Sequence, residues 1–108
     1  MSLIAASVNK QYLIAYKNDL EYKISLIAQA KMGLSASTND LLNAGSDLDP
    51  ENPMVKQLEG RRARLNLLEK KLDMQMEEYQ TKLKMIEANM ASCDSMIKSS
   101  IESMGGGR

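Results

Sequence analysis

The side chain best suited to covalent chemistry is Cys93, the single cysteine of a 108-residue chain. A thiol becomes a nucleophile when a neighbouring base draws off its proton, and the sequence has no His to do so. One cysteine and no histidine also leave the usual zinc-type ligand clusters unbuilt. Carboxylates are plentiful, but they read as helix-surface pairs with lysines four positions on: Asp19 with Lys23, Glu78 with Lys82 and Asp94 with Lys98. The run Arg61-Arg62-Ala63-Arg64 has no interleaved aromatics, and 14 basic residues balance 14 acidic ones, so the chain carries no nucleic-acid footprint. These residues predict a protein that is not an enzyme and holds neither metal nor cofactor. Cys93 reads as a small apolar residue in a helix contact.

The elements that carry these residues are helices. From Pro53 to about Met104 the sequence reads as one amphipathic helix, with a seam of Leu65, Leu68, Leu72, Met76, Tyr79, Leu83, Ile86, Met90, Cys93 and Ile97 at steps of three and four. At ~1.5 Å per residue such a helix is about 75 Å long, so it needs a partner along its length. The first helix, from about 2 to 44, has a seam of Leu13, Tyr16, Leu20, Ile24, Ile27 and Leu34. Its 4, 4, 3 rhythm at 16, 20, 24 and 27 matches that at 68, 72, 76 and 79, a four-residue insertion that relaxes a supercoil. The two irregularities partly overlap if the helices fold back with positions summing to roughly 97 opposite one another.

The stretch from Gly33 to Asn39 is rich in glycine and short polar residues, which predicts a kink near 33–38. Gly45 is expected to end the first helix in a left-handed cap, and a bend of about 45–52 follows, containing Asp49, Pro50 and Asn52. Asn52 can cap the second helix, and Pro53 suits its first position because the N–H it lacks would have been unpaired there. Gly33, Ala36, Ser37, Gly60 and Ala63 are small enough to let the helices approach closely near the bend. The three arginines then lie close to Asp47, Asp49 and Glu51 of the bend and read as a solvated face or as salt bridges within or between subunits. A glycine-rich tail covers 105–108. The fold class is all-α, a two-helix antiparallel coiled-coil hairpin with a proline-containing bend, assembling into a larger helical oligomer.

Assembly follows from a second apolar line on each helix. On the first, Ile4, Val8, Tyr12, Ala15, Tyr22, Leu26, Ala30 and Gly33 lie ~120° from the seam, interrupted by Asp19. On the second, Leu67, Met74, Met85 and Met96 lie ~130° from theirs. A hairpin covers one seam per helix, so the larger of these residues are assigned to contacts between subunits: Ile4, Val8, Tyr12, Tyr22, Leu26, Leu67, Met74, Met85 and Met96. Methionine adapts to imperfectly equivalent neighbours, and contacts on both flanks make an open helical array unless they close. The expected partners are copies of the same chain, with no nucleic acid and no membrane span.

The apolar start, Met1 to Val8, has no basic residue ahead of it and meets Lys10 at once, so it does not read as a secretory signal. The bend Asp49-Pro50-Glu51-Asn52-Pro53, set between two helices of which the second is long, resembles the Asp-Pro-x-Asn-Pro bend of needle subunits of bacterial type III secretion systems. This chain is longer than the usual needle subunit, has no Trp near its start and ends in glycines. The resemblance implies export without a cleaved signal, secretion-apparatus proteins as further partners, polymerisation into a hollow tube, and a place at or near its inner wall for Ile97, Lys98, Ser99, Ser100 and Ile101. Small secreted hairpins with a Trp-x-Gly bend fit less well, since the chain has no Trp. The expected function is a structural subunit that self-assembles into a needle-like or filamentous homopolymer of a bacterial secretion apparatus, at the cell surface or outside it. The alternative is a cytoplasmic coiled-coil adaptor or export chaperone that forms a dimer or binds a partner helix.

Overall fold

The structure, a computed structural model, describes residues 2–106. It contains two α-helices, α1 (Leu3–Ser46) and α2 (Pro53–Gly106), packed against each other as an all-α hairpin. Ser2 caps α1: its hydroxyl oxygen accepts the Ala5 N–H at 3.1 Å, satisfying a donor that has no partner inside the helix. At the start of α2 the Asn52 side-chain oxygen accepts the Met54 N–H at 2.9 Å, and Pro53 takes the first helical position. Between the helices, Asp49 accepts the Glu51 N–H through its carboxylate and the Asn52 N–H through its carbonyl, which tightens the reversal.

Three local expectations are corrected. α1 runs unbroken through 33–38 as an α-helix. The Thr38 hydroxyl donates to the Leu34 carbonyl at 2.9 Å, so this polar side chain is satisfied without leaving the helix. Leu34 and Leu41, on either side of it, are drawn onto α2. Packing thus outweighs weak local propensity. Gly45 is not a left-handed cap, because no described glycine has positive φ. The helix goes on to Ser46, whose hydroxyl donates to the Asn43 carbonyl at 2.8 Å, and the bend shrinks to 47–52. At its other end α2 continues past 104 through Gly105 and Gly106, while residues 107 and 108 of the expected tail lie outside the described residues.

The packing divides into two units, one made of the described residues up to Ile24 with those from Glu78 onward, the other of Ser25–Glu77. In the first unit, Ala6, Leu20, Ile86 and Cys93 are buried, and Leu13, Ile24, Tyr79, Leu83, Met90 and Ile97 are half-buried around them. In the second unit, Ile27 is the one buried hydrophobic among the described residues. Leu34, Leu41, Val55, Leu58, Leu65, Leu72 and Met76 form a half-buried seam beside it.

On α1, and on α2 from Leu72 onward, the seam keeps a strict alternation of three and four, without the expected insertion. On α1 it passes through Lys10, Lys17, Lys31 and Thr38, all half-buried, and leaves Tyr16 exposed on the flank. On α2 the half-buried positions step seven residues from Leu65 to Leu72, with Leu68, at 47%, and Glu69 both exposed between them. Lysine fits a seam because its aliphatic stem covers apolar surface while the amine reaches out. Lys10 pairs with Asp94 in the first unit and Lys31 with Asp73 in the second. The register differs accordingly: Asn9 meets Cys93 in the first unit and Gly45 meets Leu58 in the second, so with the two ion pairs the paired numbers add to 102–104 and not about 97.

The close approach near the bend is made by Gly45, where an added Cβ would touch Leu58 at 3.5 Å. Gly33 and Gly60 have nothing within 4 Å of that position. Gly60→Ala therefore removes the entropy cost of a helical glycine without a clash and should raise stability by ~0.5–1 kcal/mol, read as a higher urea midpoint at unchanged slope. A lower midpoint would mean that Gly60 is needed for packing.

Candidate interaction surface

The described residues contain no group of three or more His, Cys, Asp and Glu side chains that could hold a metal ion. Cys93, 4% exposed, is sealed in the seam, where the Asn9 side-chain amide donates to its sulfur at 3.8 Å. Lysines at three places sit in charged surroundings that favour their protonated form. A hydrogen bond from Lys31 to Asp73, the charge of Asp73 and that of Glu69 raise its pKa. Lys23 is raised by Asp19 and Lys82 by Glu78, in each case first through the hydrogen bond and then through the charge. Both amines also lie over the Tyr79 ring, at 5.9 and 5.8 Å from its centre, so this half-buried tyrosine is clasped from both helices. The contacts of Lys23, Lys82 and Tyr79 belong to the first unit and that of Lys31 with Asp73 to the second.

What the surface does present is apolar. Of the residues assigned to the seam, Leu13, Leu20, Ile24, Ile27, Leu34, Leu65, Leu72, Met76, Tyr79, Leu83, Ile86, Met90, Cys93 and Ile97 are buried or half-buried, whereas Tyr16 and Leu68 are exposed. All the residues assigned to the second lines are exposed: Ile4, Val8, Tyr12, Tyr22, Met85 and Met96 in the first unit, Leu26, Leu67 and Met74 in the second. Ile14, Ile101 and Met104 of the first unit, and Met32, Leu42 and Met54 of the second, add to this surface. They carry no strong sequence signal, because a helix flank tolerates single apolar residues.

The second unit also has grooves. One, of about 640 Å³, lies between Ser37, Leu41 and Ala44 of α1 and Met54, Leu58 and Leu65 of α2, with Asp40, Arg61 and Arg64 at its edge. Another, of about 510 Å³, continues from Ser37 past Gly33 and Ala30 to Leu68 and Leu72, with Lys71 at its edge. They open because small residues on α1 leave room beside leucines on α2. Among the described residues Arg61, Arg62 and Arg64 form no ion pair, so pairing with Asp47, Asp49 and Glu51 is not part of this structure.

The fold and surface define an all-α helical hairpin of coiled-coil type. Comparison with protein-family models, with curated proteins and with solved structures finds no match. No described helix is long and apolar enough to cross a membrane.

Proposed function

We propose that this chain is a structural subunit that self-assembles through its helix flanks into a needle-like or filamentous homopolymer. One observation carries the reading: the apolar lines on both helices, from Ile4 to Tyr22 and from Leu67 to Met96, lie exposed on the single chain. Contiguous apolar surface beyond a few hundred Å² is rare on proteins that stay single. Copies of the chain cover it in this reading, and contacts on more than one flank propagate where they do not close. The Asp49-Pro50-Glu51-Asn52-Pro53 bend, similar to that of type III needle subunits, adds the proposal of a bacterial secretion apparatus, with export by a route that needs no cleaved signal and a place at or beyond the cell surface.

A second reading draws on the open grooves of the second unit. A cytoplasmic adaptor or export chaperone could accept a helix of another protein there, as a dimer or as a complex of low order. Negative-stain microscopy and light scattering over a concentration series separate the two. Fibres of fixed diameter above a threshold concentration are expected. A dimer that does not change with concentration supports the adaptor and removes the polymer.

A further inference from the structure

We propose that the contact between copies is head-to-tail: the exposed stripe of Ile4, Val8, Tyr12 and Tyr22 in the first unit of one copy seats in the groove of the second unit of another. The inference rests on the self-assembly reading and names the surfaces that assembly uses.

Shape and charge both point to a second copy as the occupant. The four stripe residues are between 62% and 77% exposed. At ~150 Å² per bulky side chain and about two-thirds exposure they offer on the order of 400 Å², about half of the roughly 800 Å² that each partner gives to a standard interface. The groove is the counterpart, with open space above Gly33. One carboxylate, Asp19, interrupts the stripe, and Lys23 holds it from the side at 2.8 Å. Stripe laid on stripe would set bulk against bulk and put an Asp19 carboxylate from each copy into an apolar contact that supplies neither of them with an opposite charge from the other stripe. Stripe laid in groove brings Asp19 toward Arg61 and Arg64, which form no ion pair among the described residues and outnumber Asp40, the one carboxylate lining that groove. Like charges brought together in a contact are penalised and opposite charges fix its register. Because stripe and groove are different patches, the contact is heterologous: a copy that has used its stripe still offers its groove, and the array grows unless the rotation closes.

The test uses two altered chains. In one, Val8→Glu and Tyr12→Glu disable the stripe. In the other, Met54→Glu and Leu68→Glu disable the groove; all four positions are exposed on the single chain. Each altered chain alone should remain monomeric by sedimentation at concentrations where the unaltered chain polymerises, its threshold raised at least about tenfold. Mixed in equal amounts they should form a dimer and nothing larger, since one working stripe meets one working groove. Fibres from either altered chain alone, or a mixture that stays two monomers while circular dichroism shows both helical, overturn the head-to-tail contact and leave the polymer standing. An unaltered chain that stays single, or stops at a closed dimer, removes the polymer as well. Should a charged variant lose its helices, Tyr12→Cys in one copy and Ser37→Cys in another, both with Cys93→Ala, decide: a disulfide between the two kinds of copy is expected, and its absence overturns the contact.

Discussion

Leu20→Ala should cost ~2–5 kcal/mol of folding stability, a large share of the roughly 5–15 kcal/mol that a domain of this size has. Leu20 is 2% exposed, the most enclosed large side chain in the structure, in the unit that also buries Ala6, Ile86 and Cys93. Truncation removes its apolar surface from the core and leaves a void that paired helices with a single row of contacts cannot fill by rearrangement. Tyr22→Ala, two positions away and 64% exposed, is the control and should change stability by no more than ~0.5 kcal/mol. Urea unfolding followed by circular dichroism, at concentrations below assembly, reads both. Equal losses at the two positions would show that the buried seam does not hold the fold and that the flank contributes as much as the core.

The contrast between Leu20 and Tyr22 was legible in the sequence, and so was the bend. Asn52 followed by Pro53 allows one helix start that leaves no donor stranded, and α2 starts there. The seam was harder to read where polar residues sit on it. Counting apolar residues alone selects Tyr16 and Leu68 and implies an insertion in the repeat. α1 keeps the plain alternation and places Lys17 at that level, while α2 leaves both Leu68 and Glu69 exposed between Leu65 and Leu72. The signal that finds this is the interval of seven from Ala6 through Leu13, Leu20, Ile27, Leu34 and Leu41, apolar at every step. The other half of the α1 seam, Lys10, Lys17, Ile24, Lys31, Thr38 and Gly45, is mostly polar, so its burial depends on lysine stems and on Asp94 and Asp73 across the helix pair. That dependence is a property of the folded pair, and a single-helix projection does not contain it. The continuous course of α1 through Gly33 to Asn39 has the same origin, since Leu34 and Leu41 hold onto α2 a stretch whose own preference is for other conformations.

The grooves were illegible for a related reason. Small residues near the bend suggest a close approach of the helices, but at Gly33 on α1 and Gly60 on α2 an added Cβ would meet nothing within 4 Å. Whether a small residue gives a close approach or an opening depends on what stands across from it. Gly45 has Leu58 in front of it and approaches closely; Gly33 has none and leaves a groove.

Leu26→Glu combined with Met85→Glu should abolish assembly while the circular dichroism of the single chain stays helical. Leu26 is 45% and Met85 62% exposed, one in each unit, so each new carboxylate can remain in water on the single chain. Changes at such positions lie within about ±0.5 kcal/mol for folding. In an assembly that covers both flanks, the same carboxylates must enter an apolar contact without a partner, which costs several kcal/mol or forces protonation. Leu26 lies on the same helical line as Ile4, Val8, Tyr12 and Tyr22, so each head-to-tail contact meets a new carboxylate and the threshold concentration rises beyond reach. Met85→Glu adds the same penalty wherever the α2 line is covered. Light scattering and microscopy at the highest attainable concentration read the assembly. Unchanged fibres would mean that these flanks remain open in the polymer, and the division of each helix into a seam and an outward line would no longer explain how copies meet. Loss of helicity would place Leu26 or Met85 in the support of the fold itself, and the surplus of apolar surface from which self-assembly is argued would shrink by that much.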